Sequence, residues 1–258
     1  MEIIFEHIAG KQEKQDFQYM HVRGLLMGDE EYNPLDQGWL AADELYRSRE
    51  YWYQSRSTRA KLLRWPEGRE LTPRYLDGKL LQMIEIRPTR TELTLSGLET
   101  VYHRYIKRKG YRNLYDPFRY IHPRDMFLVY YVDSLSDVVG FTKIKRYVWE
   151  DDGAPVQRGN IFPERIDYMA RIDVESNLHC NTRDDVSMLT LEMELEWARK
   201  QDAEHLYMGP GYEKSSIYKS RVRGFEWWNG IKWSRDVGEY KRLCHRDTVL
   251  SSIDQLSR

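Results

Sequence analysis

Apolar and polar residues alternate along residues 51–65 (YWYQSRSTRAKLLRW), which predicts a strand, and the Trp-Pro-Glu-Gly turn ends it. GKLLQMIEIRPT predicts a second strand, stopped by Pro88. Residues 1–50 mix short apolar pieces with acidic turns such as MGDEEYNPLDQG and predict no definite element. The period then changes. In TELTLSGLETVYHRYIKRKGY, Leu98, Val101, Tyr102, Tyr105 and Ile106 share one helical face. Ser96 followed by Glu99 reads as a capping box, and Gly110 as the helix stop. DMFLVYYVDSLSDVVGFTKIKRYV predicts a hairpin around an Asp-Ser turn. Residues 150–163 predict a loop, and ERIDYMARIDV a further strand.

RDDVSMLTLEMELEWARKQDAEH predicts a helix with Val186, Leu189, Met193 and Trp197 in one stripe. Asp184 and Asp185 suit its positive end, and Arg199 and Lys200 its negative end. HLYMG then predicts a short buried strand, and residues from Trp227 onward a strand pair completing the sheet. This order predicts an α+β (mixed α/β) fold, one sheet backed by helices. A boundary after Pro88 separates an N-terminal β-rich subdomain, residues 1–90, from residues 91–258.

Composition narrows the picture. Net charge is −1, so any nucleic-acid contact must come from a local basic patch. The two cysteines, Cys180 and Cys244, exclude a disulfide scaffold and a cysteine-built zinc or iron–sulfur site within one chain. The start meets charge at its second residue, and no 18-residue apolar run follows. A reducing, cytoplasmic setting without a membrane partner is the expectation.

Several chemistries lack their motifs. GxSxG, GxxxxGK[ST], GxGxxG and HExxH are all absent, so a hydrolase elbow, a phosphate loop and a metal site have no support. Cys180 beside His179 is incidental, since sequence neighbours rarely face each other. Three basic segments stand among aromatics. The first carries Arg56, Arg59, Lys61 and Arg64; the second carries Arg104, Lys107, Arg108, Lys109 and Arg112. The third, HLYMGPGYEKSSIYKSRVRGFEWW, sets Lys219, Arg221 and Arg223 beside Tyr212, Tyr218, Trp227 and Trp228. Such segments are either solvated faces or surfaces that meet phosphates and stack bases.

Four segments, in order, resemble the aminoacyl-tRNA–protein transferases of the arginyl- and leucyl-transferring types. They are DQGWLAADELYRSREYWYQSRSTR, ETVYHRYIKRKGY, YMARIDVES with DDVSMLTLEMELEWARK, and HLYMGPGYEKSSIYKSRVRGFE. The resemblance implies a GNAT-type acyltransferase fold and an enzyme moving an amino acid from charged tRNA to a protein N-terminus. No cofactor is implied beyond aminoacyl-tRNA as donor. Asp173 falls where the family has an aspartate, the candidate amine-binding carboxylate or base. The backbone at Met208 and Gly209 is the candidate oxyanion donor. Arg59, Ser187, Thr190, Gly211, Tyr212, Tyr218, Lys219, Arg221 and Arg223 are candidates for holding the donor. The family's cysteine pair is gone, replaced at Tyr53 and Ser55, and Gly224 stands where the family has proline. An acyl-CoA-dependent transferase, a non-protein acceptor and a non-enzymatic binding protein stay open; NLHCNTRDDVS lacks the glycines of a pyrophosphate turn.

Overall fold

The computed structural model describes residues 2–12, 15–25, 33–42, 51–63, 70–87, 92–109, 117–119, 121, 125–149, 171–212 and 214–247. The predicted loop over 150–163, the strand start before Arg171, Gly110, Arg64 and Arg112 lie outside these residues. Strands β1 (Glu2–Gln12), β2 (Gln15–Leu25), β3 (Trp39–Ala41) and β4 (Trp52–Gln54) form a small sheet in the order β1-β2-β4-β3. A larger sheet takes β5 (Ser57–Lys61), β6 (Arg74–Leu76), β7 (Lys79–Ile86), β8 (Asp125–Val132) and β9 (Val138–Trp149). It also takes β10 (Arg171–Asn181), β11 (His205–Pro210), β12 (Phe225–Trp228) and β13 (Trp233–Ser234). Its order is β13-β12-β5-β11-β10-β9-β8-β7-β6. Helices α1 (Glu92–Lys109), α2 (Val186–Lys200) and α3 (Val237–Asp247) pack on it. The class is therefore mixed α/β with a large, mostly antiparallel sheet; among the described strands only β10 and β11 pair in parallel. The large sheet draws strands from both sides of residue 90.

Side-chain alternation divides the large sheet into two faces. Met126, Leu128, Tyr130, Ile144, Ile172, Val174, Leu206 and Met208 point toward α2 and α3 and join the main core. Phe127, Val129, Phe141 and Cys180 point the other way, against Leu98, Val101 and Tyr102 of α1. Further along that second face, Tyr147, Trp149 and Tyr207 meet Leu35, Trp39, Leu40 and Trp52 of the small sheet. The switch at Cys180 explains its neighbour: His179 faces α2 while the thiol is sealed under α1. Gly38 locks the two sheets together. Its left-handed φ of 74° lets the backbone lie where a Cβ would sit 2.3 Å from Cγ of Trp228.

Four expectations change. Residues 51–65 hold two strands, broken at Ser55–Arg56, and the pieces enter different sheets. Ser96 lies inside α1, which already begins at Glu92, so the helix starts upstream of the expected capping box. β10 runs on to Asn181, past the expected strand end at Val174. After the β12–β13 hairpin the chain forms α3, whose Tyr240 and Cys244 are buried in the main core. No helix among the described residues is long and apolar enough to cross a membrane.

Candidate active site

The parallel pair at the sheet centre is short. β10 and β11 are in register only from Asp173–Glu175 to His205–Tyr207. Beyond that, β10 has an irregularity between Ser176 and Leu178. On its other side, β11 loses register with β5 between Tyr207 and Pro210. Met208 and Gly209 thus fall outside the ladder pairs on both sides. Gly209 is left-handed, with φ 72°, and its carbonyl accepts from Oγ1 of Thr58 at 2.8 Å.

Lys219 closes over this break. It belongs to a 3-10 helix, Lys214–Arg221, and its Nζ donates to the carbonyls of Met208 at 2.5 Å and Pro210 at 2.8 Å. The ammonium therefore turns inward rather than out to a phosphate. Burial pulls its pKa down to about 8, and the charge of Glu194 partly opposes that pull.

Glu194 of α2 is the second ionisable group here, with no solvent exposure. Its Oε2 accepts from Oγ1 of Thr142 at 3.3 Å, and Thr142 shares a 3.0 Å hydrogen bond with the Tyr130 hydroxyl. Its Oε1 makes no hydrogen bond of good geometry among the described residues. A buried carboxylate oxygen left open in this way is uncommon. Burial raises the pKa of Glu194 to about 7, against the lowering effect of the Ser176 and Thr142 hydroxyls and of Lys219. His179 completes the group. Its Nε2 lies 2.7 Å from Oγ1 of Thr190, and burial together with the Lys219 charge pushes its pKa down to about 3, so the ring is neutral.

Asp173 is on the opposite face. It is fully buried and surrounded: Arg171 at 2.9 Å, His205 Nδ1 at 3.2 Å, and Nδ2 of Asn33 donating at 3.2 Å. Arg171 in turn forks onto Asp36 with two contacts of 2.7 Å. This network ties the small sheet to the core and leaves Asp173 no oxygen for an incoming amine. It stands across the sheet from Lys219 and Glu194, which follows from strand alternation between 173 and 176. Arg59 shares this face. It pairs with Glu226 at 2.8 Å and stacks over Trp233 at 4.1 Å, a structural post rather than a donor contact.

The remaining candidates divide. Ser187 and Thr190 tie the first turns of α2 to the end of β10: Oγ of Ser187 accepts from Nδ2 of Asn181 at 3.4 Å, and Thr190 donates to the Val186 carbonyl at 3.0 Å. Gly211 is wedged where a Cβ would meet the Tyr240 hydroxyl at 2.4 Å. The Tyr212 hydroxyl accepts from the Arg56 backbone at 3.0 Å. Tyr218 packs on the main core. Arg221 and Arg223 are exposed, beside the exposed Lys214. The groups that sequence reasoning missed are Glu194 and His179. A signal existed for the first: Val186, Thr190 and Glu194 follow one another at a spacing of four, which places polar residues along the buried stripe. Among the described residues no cluster of His, Cys, Asp and Glu suits a metal ion.

No family model matches the chain, and no curated protein matches it. Among solved structures, it is similar to L-PGS from Bacillus licheniformis, with 13% identity and a TM-score of 0.32. That match covers 50% of this chain and 34% of the other. It is also similar to the C-terminal domain (DUF2156) of a protein described as a lysylphosphatidylglycerol synthetase from Agrobacterium fabrum. There the identity is 11% and the TM-score 0.32, over 51% of this chain and 36% of that one. The chain spans about a third of each. At this level of similarity neither protein's activity transfers to it.

Proposed function

We propose that the protein is an acyltransferase that moves an aminoacyl group from a charged tRNA to an amine, and that the reaction takes place where β10 and β11 part. The observation that carries this reading is an open, buried carboxylate oxygen on Glu194 close enough to the Lys219 ammonium for each charge to shift the other's pKa, beside two residues whose backbone has left the ladder. The tRNA donor and the GNAT-type fold rest on the sequence resemblance, and the cytoplasmic setting on the cysteine content.

The chemistry asks little of the protein. An aminoacyl ester is already activated, so positioning and charge stabilisation supply most of the rate. Glu194 takes the proton from the acceptor ammonium, and the freed amine attacks the ester carbonyl carbon. A C–N bond forms and the carbonyl oxygen becomes an oxyanion. Backbone N–H groups of Met208 and Gly209, with the nearby ammonium of Lys219, stabilise that oxygen. The C–O ester bond then breaks, the proton held by Glu194 goes to the departing ribose oxygen, and the surplus proton on the new amide nitrogen is lost to solvent. No nucleotide cofactor enters. Lys214, Arg221 and Arg223, exposed on and beside the 3-10 helix, suit the phosphates near the tRNA 3′ end. The acceptor this reading favours is a protein or peptide N-terminus.

The test is transfer of radiolabelled amino acids from a mixed pool of charged tRNAs to peptides with varied N-terminal residues. Label in peptide is expected for the wild type and lost in Glu194→Gln and Lys219→Met, while tRNA binding persists in both. Absence of any tRNA binding by the wild type overturns the reading and favours an acyl-CoA donor.

A further inference from the structure

Behind Glu194 stands a chain of hydroxyls drawn from two strands. Tyr130 of β8, Thr142 of β9 and Glu194 of α2 meet on the α2 side of the large sheet, and none of the three has solvent exposure. The strand register explains how they meet. Gly140 lies opposite Tyr130 and carries no side chain, so the neighbour of the tyrosine on β9 is the diagonal one, Thr142. The Tyr130 hydroxyl is 3.0 Å from Oγ1 of Thr142, and that oxygen is 3.3 Å from Oε2 of Glu194.

Counting protons gives the chain a direction. Thr142 has one hydroxyl proton and two oxygen neighbours. If it donates to Tyr130, an ionised Glu194 loses this donor, and the Tyr130 proton is left without an acceptor among the described residues. If Tyr130 donates to Thr142, Thr142 donates onward to Glu194 and both protons are placed. The second arrangement is the one that suits a carboxylate, and each bond in it polarises the next. A phenol is a dependable end to such a chain. Burial, reinforced by the charge of Glu194, holds the pKa of Tyr130 well up, so its proton stays in place.

The other groups around Glu194 are occupied differently. Lys219, from the 3-10 helix, donates to the Met208 and Pro210 carbonyls and reaches Glu194 through its charge. His179 of β10 is neutral and bonded to Thr190. Cys244 of α3, beside Lys219, donates to the Gly211 carbonyl. Ser176 of β10 is the second hydroxyl near Glu194.

We infer that Tyr130 is a positioning residue for Glu194: by donating to Thr142 it keeps that hydroxyl turned toward the carboxylate, which favours the ionised base over the neutral acid. Its part in catalysis rests on the acyl-transfer reading; the hydrogen-bond chain does not.

The experiment follows the Glu194 carboxyl carbon by carbon-13 NMR against pH, in the full chain labelled at glutamate Cδ. Its resonance is the one missing from Glu194→Gln. The wild-type midpoint is expected near pH 7. Thr142→Val has nearly the same shape and no donor, and is expected to raise the midpoint by about 1 pH unit, a roughly tenfold tighter hold on the proton. Tyr130→Phe keeps the ring and removes only the terminal hydroxyl; it is expected to raise the midpoint by about half a pH unit. Thr142→Ser keeps the donor and is expected to retain the wild-type midpoint. In the double variant, Tyr130→Phe is expected to add nothing to Thr142→Val, because it acts only through that hydroxyl. A tyrosine that merely filled space would change stability and leave the midpoints where they are. A midpoint untouched by Tyr130→Phe, effects of the two variants that add, or a Thr142→Ser midpoint as high as that of Thr142→Val overturns the inference. Midpoints that move as expected in a protein that transfers no amino acid uphold the chain and sink the acyl-transfer reading alone.

Discussion

Glu194→Gln isolates the energetic cost of the buried carboxylate. In the wild type, burial raises the pKa from the ordinary 4.5 to about 7. The folded chain therefore binds this proton more tightly than the unfolded chain. Its contribution is full below pH 4.5 and is lost as pH rises through about 7. At about 1.4 kcal/mol per pH unit, that gap corresponds to about 3 kcal/mol, and because the group has no solvent exposure no screening discount applies. Glutamine has nearly the same shape and never ionises. Urea unfolding followed by tryptophan fluorescence at pH 5, 6, 7 and 8 reads the difference. At pH 5 the variant is expected to match the wild type or fall slightly below it. By pH 8 it is expected to be the more stable of the two by about 2–3 kcal/mol. Parallel stability curves for the two proteins across this range would refute the claim that burial raises the pKa of Glu194.

Other outcomes follow from the same geometry. In the proposed reaction Glu194 must be ionised and Lys219 protonated, so the rate is expected to climb through about pH 7 and decline above about pH 8, giving a narrow maximum between them, read from kcat/KM against pH. The double variant Arg221→Ala/Arg223→Ala is expected to lower the slope of log tRNA affinity against log salt by about 1.5, with little change in thermal stability, since both residues are exposed. Gly38→Ala combines a left-handed φ with a Cβ placed 2.3 Å from Trp228, and is expected to cost about 3 kcal/mol in a denaturation midpoint series. Arg59→Ala strands a buried Glu226 oxygen and is expected to cost about 3 kcal/mol, with Arg59→Lys recovering only part because it lacks the fork and the stacking plane.

Local patterns were the readable part of this chain. The stripes of α1 and α2, the β8–β9 hairpin and the buried β11 each follow from apolar spacing within one element. What escaped depends on distant partners. Asp173 reads as a free strand-end carboxylate until Asn33, 140 positions away, and Arg171 surround it. Lys219 reads as a solvent-facing cation beside Arg221, yet a 3-10 turn swings it inward onto two carbonyls. The split at Ser55–Arg56 was invisible because each half alternates well. Only the register of β4 against β2, and of β5 against β11 and β12, assigns them to separate sheets.

The place of β5 sets a schedule for synthesis. This five-residue strand, Ser57–Lys61, lies between β11 and β12, whose residues leave the ribosome some 145 to 170 positions later. Until then both of its edges are bare, with backbone donors and acceptors that another chain could pair with. The break between β10 and β11 has the same dependence, since β5 forms its far wall and Thr58 holds the Gly209 carbonyl. A nascent chain arrested before residue 228 thus exposes a sticky, half-walled sheet and no assembled centre. Slow folding after release and a need for chaperone cover during translation are the cellular consequences of that one out-of-order strand.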